Sequence, residues 1–409
     1  MTSFWRIFSL EWKALWRSKT TAMLAVASVV WMFAFPHLVR GDGTEAGARE
    51  LYLHFSLGGV FALLVVALLA TAAGSLAKER AEKRLQLTLT RPASRFALAF
   101  GRIAAQVAVG ALVLLLASAV LLVKTDPSVR CNHVLSPILP TPQEEALTMY
   151  DAFMKDPETP PSVKKAKKSA VLRLLAQRAI DHYQTVPTNE TVRWTFPAAG
   201  DAIRLRFTNP MEMRQSVQGV FSSGAASLAV SNITQAVVTY PFRGETGELA
   251  FANQGTSALM LRPRRDINLL AAGDAFWMNL LRTYLALVSV LALLIATGTL
   301  LSAGLGRPVA LFVAFVALLV GEMSPSVIEQ YPDELDANFV DRMGLAITRV
   351  AAEVTRPVSA LSPLEPFAKD ECVEWKDVLK LALVDFAALP VVLALLAAFV
   401  MPRKQDDLV

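Results

Sequence analysis

Charge is scarce in this chain. Only 18% of its 409 residues are Asp, Glu, Lys or Arg, while 54% are hydrophobic and mean hydropathy is +0.43. Soluble domains carry roughly 25% charged residues, so the deficit argues for membrane spans joined to a water-exposed part. Cysteine is scarcer still. Cys131 and Cys372 stand alone, which excludes a cysteine metal cluster and a disulfide-dense scaffold. Four scattered histidines, His37, His54, His133 and His182, build no HExxH-type ligand set. Neither a GxxxxGK phosphate loop nor a GxGxxG turn occurs, so the chain has no nucleotide-binding motif and no sign of a bound cofactor. The net charge of +5 and pI near 9.2 do not point to nucleic acid, because much of the basic charge flanks apolar runs and no basic stripe interleaved with aromatics appears.

What is present is apolar sequence in long runs. A spanning helix needs about 20 mostly apolar residues. Six stretches qualify as candidates: 21–38, 51–77, 96–123, 276–303, 307–323 and 378–401. The first has a run longer than a signal core and lacks a small-x-small cleavage site, so it reads as a retained anchor. Arg6, Lys13, Arg17 and Lys19 precede it, six Lys and Arg crowd 78–95, and Arg403 and Lys404 close the chain. Acidic residues dominate 324–377. The positive-inside bias then predicts an inner (cytoplasmic) membrane protein with both termini in the cytoplasm. Trp277, Tyr284 and Trp375 fit interfacial anchors.

Residues 124–275 form an insert long enough for its own core. Its first half is helical in pattern: Val171, Leu174, Leu175 and Ala179 lie opposite a lysine-rich face, best read as solvated. The second half alternates with period two, as in Val192, Trp194 and Phe196 or Ile203, Leu205 and Phe207. Short alternating strands separated by Gly, Asn and Pro predict a small β-sandwich, covered on one side by the 142–185 helices. The predicted class is thus a polytopic α-helical membrane protein of about six spans with an α+β extracytoplasmic domain, divided as 1–123, 124–275 and 276–409. Asn189 and Asn232 match the glycosylation pattern, which chance also produces. Cys131 and Cys372 fall on the same outer side, and either a disulfide or two buried thiols fits the sequence.

Charge bias does not account for the order of residues in KERAEKRLQLTLTRPASR, 78–95. Leu85 and Leu89 share one face, so 79–90 can form a surface helix ended before Pro92, with Arg95 and Arg102 in the headgroup layer. At this point the chain resembles the permease subunit of an ABC-2 type ABC transporter, whose cytoplasmic loop has the form E-R-x-x-G-T-L…P-x-S-R…G-K. Glu79, Arg80, Leu85, Pro92, Ser94, Arg95 and Gly101 match in order, with basic Arg102 in the last place; Lys83 and Arg84 stand where the family has Gly-Thr. The amphipathic N-terminus, with Phe4, Ile7, Phe8, Trp12 and Leu15 on one face and Arg6, Lys13 and Arg17 among the headgroups, and the LSPLEPF stretch also look like that family. The 124–275 insert does not.

The resemblance implies a dimer with a second permease half, the same or a related chain, and a separate ABC ATPase subunit that binds and hydrolyses ATP. Glu79, Arg80, Leu85, Leu89, Pro92 and Arg95 would then couple to the ATPase, while Trp12, Arg17 and Arg102 contact membrane lipid. The plainer reading of the basic residues is anchoring to anionic lipid. The expected role is a non-enzymatic exporter or mechanotransmission subunit; the alternative is a membrane-anchored binding or assembly protein that uses no ATP. An intramembrane enzyme would need a nucleophile and base within the spans, and only Asp385 is a candidate. Counting back from Met401 places Asp385 near the outer boundary, where hydration is the simpler expectation.

Overall fold

The structure is a computed structural model that describes residues 2–38, 45–82, 94–316 and 363–401, apart from 127, 141, 158, 160–163, 165–167, 169–170, 173, 177–183, 207–215, 234–236 and 246. The described chain divides into a helical unit, which takes in Met1–Cys131 and the segments after Asp274, and a β-rich unit, Asn132–Gly273.

The helical unit begins with α1 (Thr2–Arg17) and α2 (Lys19–Leu38), a pair bent by 60°. Then follow α3 (Glu45–Ala81) and α4 (Arg95–Lys124). After the β-rich unit come α6 (Phe276–Gly304), the short apolar α7 (Arg307–Val316) and α8 (Trp375–Val400), with α5 (Pro142–Lys155) lying in the insert. Four helices, α3, α4, α6 and α8, are long and apolar enough to cross a membrane, and five crossings result if the bent α1–α2 pair counts as one. The predicted span at 307–323 is represented among the described residues only by α7. Six spans are therefore not reached within the described residues. Leu85, Leu89, Pro92 and the segment 324–362 lie outside them.

One apolar core joins the spans. Leu57, Leu64, Leu68 and Ala72 of α3, Val113, Leu114 and Leu121 of α4, and Leu287, Leu291 and Ile295 of α6 are all buried in it. Outward positions such as Val66, Leu115 and Phe399 stay exposed and apolar, as a lipid-facing surface requires. A water-soluble bundle would carry polar residues there.

Among the described residues ten strands form: β1 (Arg130–Leu135), β2 (Gln184–Val186), β3 (Thr191–Thr195), β4 (Ala202–Arg206), β5 (Ser216–Ser223), β6 (Ala226–Ile233), β7 (Val237–Pro241), β8 (Glu248–Asn253), β9 (Leu259–Leu261) and β10 (Ile267–Ala275). They pair as two four-stranded sheets, β1-β10-β4-β7 and β3-β8-β5-β6, with a β2-β9 ribbon. The described pairings between these strands are antiparallel, and β10 sets Leu269 opposite Ile203 of β4. Trp194, Ile203, Leu205, Val217, Phe221, Leu249, Phe251 and Ile267 share one core. The alternation that predicted strands is the alternation of burial here: β5 buries Val217, Gly219 and Phe221. Gly219 has no substitute, since a Cβ there would meet the Phe251 ring at 2.4 Å. The 142–185 helices were expected to cover the sheets. Among the described residues Ala146, Val171 and Leu175 form a small core of their own, with Tyr150 and Phe153 packed on it.

Candidate functional site

α3 does not stop at the edge of its apolar run. It continues through Ala81, so Glu79 and Arg80 occupy its last turn and do not open a separate surface helix. Ser94 caps the next helix by accepting a hydrogen bond from the Ala97 N–H, and α4 starts at Arg95. The predicted loop residues therefore bracket a junction between two spans.

Inside that junction Arg102 Nη2 donates to Glu79 Oε1 at 2.6 Å. Arg102 was expected among the headgroups; it is only 4% exposed. The reason is geometric: Gly101 beside it lets α1 lie directly on α4, where a Cβ would meet Ile7 at 2.9 Å. Leu15 of α1 is buried against Ala105 and Val109, with Phe8 and Trp12 packed on them. Trp12 thus spends its ring on α4 and on stacking with Phe8 and Trp16, while Arg17 is exposed. Glu11 of α1 lies within electrostatic reach of both Arg102 and Glu79.

The pair is not fully satisfied. Glu79 Oε2, Arg102 Nε and Nη1, and both amide atoms of Gln106 are buried and have no hydrogen-bond partner among the described residues. Gln106 follows Arg102 by four residues, on the same face, and is fully buried. Desolvating a charge costs several kcal/mol, on the order of the attraction that offsets it, so removing either partner leaves a heavily penalised ion.

Two further arginines tie helix ends together. Arg80 Nη1 and Nη2 donate to the carbonyls of Ala303 (3.1 Å) and Leu305 (2.6 Å), at the C-terminus of α6. Arg95 Nη1 donates to the Met401 carbonyl at 3.3 Å, at the end of α8. These carbonyls have no intrahelical donors, and a cation there also complements the helix dipole. The Ala77 N–H donates to Ser302 Oγ across the same contact.

The opposite ends of the same helices are bound differently. Cys131 and Cys372 form a disulfide with a Cα–Cα distance of 5.1 Å, which decides between the two alternatives the sequence left open. Asn279, fully inside, donates to the Glu371 carbonyl and accepts from the Val373 N–H, both at 2.8 Å. Arg282 pairs with Asp274, donates to the Val373 carbonyl and lies over the Trp375 ring at 5.1 Å. Arg49 holds Asp370 at 2.9 Å. Just before Asp370, Lys369 donates to Glu365 and thereby holds that carboxyl below its usual range. Of the predicted anchors, Tyr284 instead donates to the Ala111 carbonyl inside the bundle, while Trp277 is exposed.

Of the predicted residues, Glu79, Arg80, Arg95 and Arg102 come together at one end. Glu11, Gln106, Asn279 and Arg282 were missed. A polar pair at helical spacing inside an apolar run, Arg102 with Gln106 or Asn279 with Arg282, was the available signal. Among the described residues no group of three or more His, Cys, Asp or Glu could hold a metal ion. No known protein family, curated protein or solved structure matches the chain.

Proposed function

We propose that this chain is the membrane permease subunit of an ATP-driven transporter of the ABC-2 type, an exporter half that works with a second permease half and a separate ATPase. One observation carries the reading. The residues of the resembling motif are not scattered: Glu79 with Arg102, Arg80 and Arg95 tie the facing ends of α3, α4, α6 and α8 around the single stretch 82–94. A push on that stretch would reach four spans through short charge-assisted bonds. Glu79 and Arg80 then act as braces within the chain, and contact with the motor falls to exposed Lys78, Glu82 and Ser94 and to the residues between them.

Two independent cues support a cytoplasmic position for this end in the inner membrane. Basic residues crowd it, and the disulfide, which requires an oxidising compartment, lies at the other. The further two crossings of a six-span protein would come from α1–α2 and from the region beginning with α7.

The test is site-specific photocrosslinking from Ser94 in native membranes, in the presence and absence of a non-hydrolysable ATP analogue. An ATPase adduct whose yield changes with nucleotide is the expected result; no adduct in any nucleotide state refutes the assignment. A second reading, a membrane-anchored binding or assembly protein, is favoured by the β-rich unit having a core of its own. It predicts full function of the chain in cells whose ATPases are not engaged at Ser94.

A further inference from the structure

The last span contains a defect that the transporter reading does not use. Between Leu381 and Leu389 the helix loosens into a π-helical segment, Ala382–Ala388. The Leu389 N–H reaches back to the Val384 carbonyl, five residues earlier. In that register the Asp385 carbonyl would take its bond from residue 390, which is Pro390 and has no N–H. Widened turns of this kind recur at functional positions in helices.

Asp385 is the buried residue of the segment. It is 2% exposed, and its buried Oδ1 has no hydrogen-bond partner among the described residues. The sequence suggested hydration near the boundary. The structure instead buries Asp385 in the segment packed against α6, within a helix that runs from Trp375 to Val400. Its neighbours Leu383, Val384 and Phe386 face outward and are apolar.

The surroundings define what could bind. The titratable or charged groups of α6 are Arg282 and Tyr284, and both are engaged elsewhere, by Asp274 and the Val373 carbonyl and by the Ala111 carbonyl. On the span itself Lys380, five residues before Asp385, is exposed and within electrostatic reach of its carboxylate. Asp385 therefore brings acceptor oxygens, its carboxylate and the carbonyl that Pro390 cannot serve, to a face of α6 whose charged groups are engaged elsewhere, with the exposed Lys380 ammonium as the nearby cation. Two or three oxygens are too few for a calcium or magnesium shell, which takes six or more ligands. A proton needs only one. It removes the charge from the apolar site and turns Oδ into a donor for a nearby carbonyl.

We propose that Asp385 is a proton-binding site of the last span, neutral while the π segment is packed against α6 and ionised only when that contact opens to water. The proton joins a carboxylate oxygen from water and leaves to water, so the site exchanges one charge per opening. The inference rests on this helix crossing a membrane and does not require an ATPase partner.

The experiment compares the full chain, wild type and Asp385→Asn, reconstituted in lipid bilayers across a pH series. Asparagine keeps the neutral shape, so the two proteins should unfold at the same temperature in acid. Wild type should then fall below the variant as pH rises, because the native state binds the proton more tightly than the unfolded state. A difference in Tm that does not change with pH overturns the proposal. A hydrophobic carbodiimide, which reacts with neutral carboxyls, identifies the residue: the adduct at Asp385 should fall about tenfold per pH unit above the midpoint. Since the flanking side chains face the reagent's phase, no adduct at any pH, or a yield indifferent to pH, also overturns it.

Discussion

The two ends of the helical unit solve the same problem with different chemistry. At the end carrying Cys131 and Cys372, a covalent bond and an asparagine with both amide functions paired hold the segment before α8 to α6. Arginine ties to carboxylates and carbonyls occur at both ends, through Arg282 and Arg49 at the first and through Arg80, Arg95 and Arg102 at the second. What differs is the covalent bond at the first and, among the described residues, five unpartnered polar atoms of Glu79, Arg102 and Gln106 at the second. The disulfide fixes the first arrangement covalently, whereas the second is held by charges that new partners or water could satisfy as well. In the proposed transporter the fixed end would let displacement at the other become rotation of the spans.

That contrast can be broken most forcefully at Arg102. Replacing it by Met strands the Glu79 carboxylate in an apolar junction and should lower stability by about 3–5 kcal/mol in detergent unfolding; adding Glu79→Gln should recover much of the loss. If the double variant is no better than the single, the buried pair is not the tie. At the opposite end, Cys131→Ser with Cys372→Ser should cost about 2–4 kcal/mol, with hydrogen exchange rising in 364–375 while the Arg102 junction stays protected. Arg80→Ala should be milder, about 1.5–3 kcal/mol, since exposed carbonyls can turn to water. Its signature is faster exchange at the end of α6.

The smallest effect sharpens the comparison by pH. Lys369 keeps Glu365 ionised below the usual carboxylate range, so the pair's contribution, about 0.3–0.5 kcal/mol, is present at neutral pH. It disappears as pH falls through the lowered value, and Lys369→Ala should abolish that dependence. The measurement is the pH profile of local exchange over Leu364–Ala368.

How far the sequence revealed this follows from what each feature depends on. The long runs in α3, α4, α6 and α8 were readable because spanning a bilayer constrains twenty neighbours at once. β4 and β5 were readable because burial alternates along the strand itself. The partners were not. Glu79 finds Arg102 across 23 residues and Arg80 finds Leu305 across 225, and the pattern around either residue does not encode its partner. Gly101 looked like one motif position, yet its effect is to admit α1, which pulls Arg102 inward and away from the headgroups. The burial of Asp385 was not legible because it depends on α6, and the residues around position 385 do not encode which helix packs on them. The family resemblance concerned one loop, and part of that loop, Leu85 to Pro92, lies outside the described residues.

The bond between Cys131 and Cys372 joins positions 241 apart in sequence and encloses the whole β-rich unit and α6. During synthesis the first thiol emerges long before the second, so the ring can close only after the β-rich unit and α6 have left the ribosome. Until then the β-rich unit can fold, but α8 is unanchored and the Cys131 thiol is open to capture by a wrong partner. A cell short of oxidising enzymes should therefore accumulate a late-stage precursor, folded in its strands and loose at its final helix, which a protease would meet first at that helix.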